Sequence, residues 1–87
     1  MRRYYFHLRQ GRDLLEDDEG VELPHLSAAR DGALRGLQSL LGEAIRFGEE
    51  PKTDAVIITD EDGQQLAAIP MVAVLPALIV KSLFEAS

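Results

Sequence analysis

LSAARDGALRGLQSLLGEAIRF, residues 26–47, is the stretch whose reading decides the fold. Leu26, Ala29, Ala33, Leu34, Leu37, Leu40, Leu41, Ala44 and Ile45 recur at three- and four-residue spacing, the period of a helix with one buried stripe. Arg30, Asp31, Arg35, Gln38, Glu43 and Arg46 take the other side, so the helix has a core face and a wet face. Ser27 is the expected N-cap, its hydroxyl accepting from a first-turn N–H, with Leu26 packing back onto that turn. An alternative start sets Pro24 at the first helical position. Gly48 after Phe47 suits a helix stop, and Pro51 prevents resumption. Gly32, Gly36 and Gly42 each cost about 1 kcal/mol relative to alanine. Gly32 and Gly36, with Ser39, share one flank of the stripe. Either a second backbone approaches closely there, or a well-anchored helix simply tolerates the glycines.

Working back toward the N-terminus, RYYFHLR (3–9) alternates. Tyr4, Phe6 and Leu8 point one way, and Tyr5, His7 and Arg9 the other, as in a strand with one apolar face. Gln10 to Asp13 form a turn, and Leu14 and Leu15 open a second, shorter strand. EDDEG (16–20) packs like charges so closely that a solvated turn is expected, returning through Val21 and Leu23 to the helix.

Working forward, AVIIT (55–59) is a strand whose β-branched residues on both faces place it centrally in a sheet. DEDG (60–63) is a hairpin turn, with Asp62-Gly63 supplying positive dihedrals, and Gln64 to Ile69 run back until Pro70 ends the ladder. The expected architecture is α+β: a small antiparallel sheet in ββαββ order with the long helix across one face. In MVAVLPALIVKSLFEAS (71–87), Met71, Leu75, Leu78, Ile79 and Leu83 fit a short C-terminal helix. Val72, Val74, Val80 and Phe84 lie off that stripe. An apolar tail of this kind either fills the core or forms a surface for a partner.

Length and charge narrow the function classes. A chain of 87 residues holds one domain with a modest core. With no cysteine, disulfide scaffolds and thiolate zinc sites are excluded, and a reducing cytoplasm is compatible. The net charge of -6 disfavours non-specific attachment to nucleic acid or an anionic membrane. The run YYF after Arg2 and Arg3 is too short for a secretory signal, and no stretch reaches the ~20 apolar residues of a membrane span. A soluble, cytoplasmic protein is expected.

Reactive groups are sparse. His7 and His25 sit in no ligand spacing, so no metal or cofactor is expected. DEDG does not follow the calcium-loop pattern, because its glycine comes in fourth place. The serines Ser27, Ser39, Ser82 and Ser87 have no histidine in a recognisable motif, and no catalytic residue is expected. The face carrying Tyr5, His7 and Arg9 combines aromatic and basic residues as base-stacking sheets do, which makes single-stranded nucleic acid the alternative function. The acidic balance and the lack of an RNP-like pattern oppose it.

RRYYFHLRQG, then DLLEDDEGVELPHLSAAR, then VIITDEDGQQLAAIP together resemble a family of short alphaproteobacterial proteins of unknown function. Its members pair an aromatic-aromatic-histidine strand with an acidic D-x-x-G-x-E-L link, an alanine-rich helix and a D-x-x-G hairpin. The resemblance covers residues 2–70 and implies a compact intracellular domain with no activity to carry over. The leading expectation is a non-catalytic module that forms a homodimer and binds other proteins. Its candidate interface is Leu75, Leu78, Ile79, Leu83, Phe84, Gly32 and Gly36.

Overall fold

A computed structural model of the chain describes residues 1–75. It contains β1 (Arg2–Gln10), β2 (Asp13–Leu15), β3 (Val21–Leu23), α1 (Leu26–Arg46), β4 (Ala55–Thr59), β5 (Gln65–Pro70) and a 3-10 turn at Met71–Ala73. The strands form one antiparallel five-stranded sheet. β1 lies between β4 and an edge built from two short strands, with β3 beside its first residues and β2 beside its last. β4 separates β1 from β5, the position its doubly apolar sequence requires, and Ala55 to Ile58 are all buried.

β3 is the departure from the expected order. Val21 to Leu23 do more than lead into the helix: Tyr4 faces Val21, Arg3 faces Glu22 and Arg2 faces Leu23 across an antiparallel ladder. The Arg3 guanidinium reinforces that pairing, donating to the Glu19 carbonyl at 2.7 Å and to the Glu22 carboxylate at 3.3 Å.

α1 packs on β3, β4, β5 and the 3-10 turn. Ala29, Ala33, Leu37, Leu41 and Ala44 form its buried line, against Tyr4, Val56, Ile58, Ala67, Ile69, Met71 and Val74. Leu26, Leu34 and Leu40 are half-buried beside it. Ile45 was expected in this stripe but is 57% exposed. It stands beyond the buried line in the last turn, next to the buried Ala44. The glycine flank is open, since a Cβ at Gly32, Gly36 or Gly42 would meet nothing within 4 Å. Among the described residues no backbone approaches there. Of the tail, Met71 and Val74 join the core and Leu75 packs half-buried against it. Leu78, Ile79, Leu83 and Phe84, with the rest of the expected C-terminal helix, lie outside the described residues.

The helix begins at neither expected position. His25 is the N-cap, with extended backbone (φ -162°, ψ 169°), and its ring Nδ1 accepts the Ala28 N–H at 3.1 Å. β3 holds the chain extended to Leu23, so the turn into α1 falls at Pro24-His25 and leaves Ser27 exposed inside the first turn. His25→Ala is therefore expected to lower stability by about 1 kcal/mol in urea unfolding, whereas Ser27→Ala changes it by less than about 0.5 kcal/mol. At the other end, Gly48 and Glu49 donate to the carbonyls of Ile45 and Ala44, the paired bonds of a Schellman stop. The β4–β5 reversal uses a single positive dihedral, at Gly63 (φ 81°), and Asp62 needs none. The Asp60 carboxylate accepts from the N–H groups of Asp62 and Gln64 and organises the turn.

Candidate functional site

Strand alternation turns Tyr4, Phe6 and Leu8 toward the helix and sets Tyr5, His7 and Arg9 on the opposite face of the sheet. Cross-strand register adds Ala55, Ile57 and Thr59 from β4, opposite Arg9, His7 and Tyr5 respectively. The structure brings Tyr5 and His7 together, their rings 10° from parallel with centroids 6.4 Å apart. Arg9 stands at the far end of the strand, exposed, facing Leu14 on β2.

His7 is held at both ring nitrogens. Nδ1 accepts the Asp17 backbone N–H at 3.0 Å, and Nε2 lies 2.8 Å from Thr59 Oγ1. An acceptor at Nδ1 requires the proton on Nε2, so Nε2 donates to the threonine hydroxyl. The imidazole is thus the neutral Nε2–H tautomer, bridging the acidic link to β4.

Asp17 completes the junction. One carboxylate oxygen accepts the Phe6 N–H at 3.1 Å, and the other accepts the N–H groups of Glu19 and Gly20, each at 3.1 Å. Partial burial alone would raise this carboxyl, but the bonds from the Phe6, Gly20 and Glu19 N–H groups outweigh it and hold the pKa below the ordinary 3.8. EDDEG was expected as a solvated turn. Asp17 is instead half-buried, because it satisfies the Phe6 N–H in the gap between β2 and β3.

Gly20 is fitted just as tightly. Its φ is +70°, and a Cβ there would stand 2.9 Å from the Tyr4 carbonyl oxygen and 3.0 Å from the Tyr5 ring. Sequence reasoning singled out His7 but missed its partners Asp17 and Thr59, and Gly20, whose N–H bonds to Asp17. An aspartate followed by glycine after two residues is a turn signal in its own right, masked here by the surrounding charges.

Beside the Tyr5–His7 pair the open face forms a shallow groove of about 410 Å³. Tyr5, His7, Ile57 and Thr59 line it, with Leu14, Glu16, Asp60 and Glu61 around them. Among the described residues no group of His, Asp and Glu side chains is placed to hold a metal ion, and every buried side-chain polar atom has a hydrogen-bond partner. Among those residues, also, no helix is long and apolar enough to cross a membrane.

A family model described as a domain of unknown function (DUF6894) matches residues 3–73. No curated protein and no solved structure matches the chain.

Proposed function

The chain belongs to the DUF6894 family, a domain of unknown function, and on that footing we propose that it is a non-catalytic module that acts by binding, first of all to a second copy of itself. One observation carries the reading: Leu15 and Val21, on β2 and β3, are about half exposed on the helix side of the sheet edge. They face Leu8 and Tyr4 on β1 and so continue the core's apolar surface past α1 to the edge. Covering such a strip against a copy of itself removes apolar surface from water at about 25 cal/mol per Å². Both His7 nitrogens are engaged within the fold, which suits a structural part for the ring.

Sedimentation equilibrium of the full chain tests the proposal. A dimer at micromolar concentration is expected, reverting to monomer in Leu15→Lys. That exposed position accepts a lysine with a change in stability within about 0.5 kcal/mol. A monomer throughout the concentration range, or a dimer indifferent to Leu15→Lys, would overturn it.

A further inference from the structure

We propose that the groove on the open sheet face binds a basic segment of another protein by taking up an arginine side chain. The inference rests on the reading of this chain as a binding module but not on its self-association. The groove surrounds an aromatic and aliphatic floor, Tyr5, His7 and Ile57, with the carboxylates of Glu16, Asp60 and Glu61, and among the described residues no Lys or Arg side chain lines it. Its volume falls within the range of small ligand sites.

Each part suits a guanidinium. Glu16 and Glu61 are exposed and have no ion pair among the described residues, so their charge is available to a ligand. Asp60 has one oxygen committed to its own turn and the other free of such bonds. The Tyr5 ring offers a cation–π face, and Ile57 and Leu14 offer apolar contact to the methylene stem. A phosphate-bearing ligand would meet like charge at the same rim, which turns this face away from nucleic acid. The basic residues nearest to it do not reverse that sign. Arg3 is spent on Glu19 and Glu22, and Arg9 is not part of the groove.

The test is a titration of the isotope-labelled full chain with an acetylated peptide of alternating arginine and glycine, followed by NMR. In parallel, the same peptide carrying citrulline keeps the shape and removes the charge. Shifts confined to Tyr5, His7, Ile57, Thr59 and Glu61 are expected with arginine and not with citrulline. At least tenfold weaker binding is expected in the double variant Glu16→Gln, Glu61→Gln, whose exposed positions leave the fold intact. Equal binding by citrulline or by the double variant, or shifts spread evenly to Glu49 and Glu50, would overturn the proposal. So would no binding at low salt. Self-association is read separately by sedimentation: a monomer that binds the arginine peptide removes only the dimer, and a dimer that ignores it removes only the groove.

Discussion

Asp17→Ala is expected to destabilise the chain by about 3 kcal/mol, the largest loss available from a side chain that is only half-buried. The substitution strips three backbone N–H groups, those of Phe6, Glu19 and Gly20, of their acceptor at once. Bonds to a charged acceptor contribute about 1.5–3 kcal/mol each, and partial exposure reduces the sum because water replaces part of what is lost. The Phe6 N–H matters most, since it belongs to the central strand at the gap between β2 and β3. For a domain of this size the expected fall in Tm is about 12–24 °C by calorimetry. A shift below about 3 °C would show that the acidic link is tethered by something else.

The same carboxylate fixes a pH dependence. Its pKa is depressed in the folded chain, so the unfolded chain binds the proton first as pH falls. The stabilisation is fully present above the unfolded value and is lost as pH drops from there through the folded one. The stability gap between wild type and Asp17→Ala should accordingly narrow below about pH 4 and stay constant above about pH 5. A gap that does not change on acidification would contradict the assignment.

Gly20→Ala is the second large effect, expected to cost about 2–4 kcal/mol. The left-handed backbone penalises any side chain, and of the two atoms a Cβ would meet at 2.9 Å, the Arg3 Cγ can move but the Tyr4 carbonyl oxygen is part of the β1 backbone and cannot step aside without moving the strand. The damage should be local first. Amide exchange is expected to accelerate at Val21 to Leu23 and at Arg2 to Tyr4 while the β1–β4 ladder stays protected. Alanine at Gly11 or Gly48 has the same backbone penalty without the collision, since a Cβ at either position meets nothing within 4 Å. Equal losses at Gly11, Gly20 and Gly48 would therefore remove the close approach as the cause.

The periodic segments were legible in the sequence because local spacing encodes which side is buried. The line from Ala29 to Ala44, the alternation of Tyr4, Phe6 and Leu8, and the all-buried AVII of β4 needed only that one face meet a core. β3 was not legible, because three residues carry no period. Val21 to Leu23 become a strand through Asp17 and Gly20, which set the chain back against β1 after the acidic run. The cap fell at His25 rather than Ser27 for a related reason: a pairing remote in sequence held the backbone extended up to the helix. In the candidate site, Tyr5 and His7 were visible from alternation alone. Thr59 joins them through a hydrogen bond across 52 residues of chain, a separation no local pattern reports.

The central claim is that His7 is a structural bridge in a single protonation form, and the ring nitrogens themselves test it most directly. Long-range nitrogen–proton correlation NMR on the folded chain at neutral pH should show a pyrrole-like Nε2 carrying the proton and a pyridine-like Nδ1 without one. A proton on Nδ1, or nitrogens averaged between the two tautomers, would break the bond to Asp17 and contradict the account.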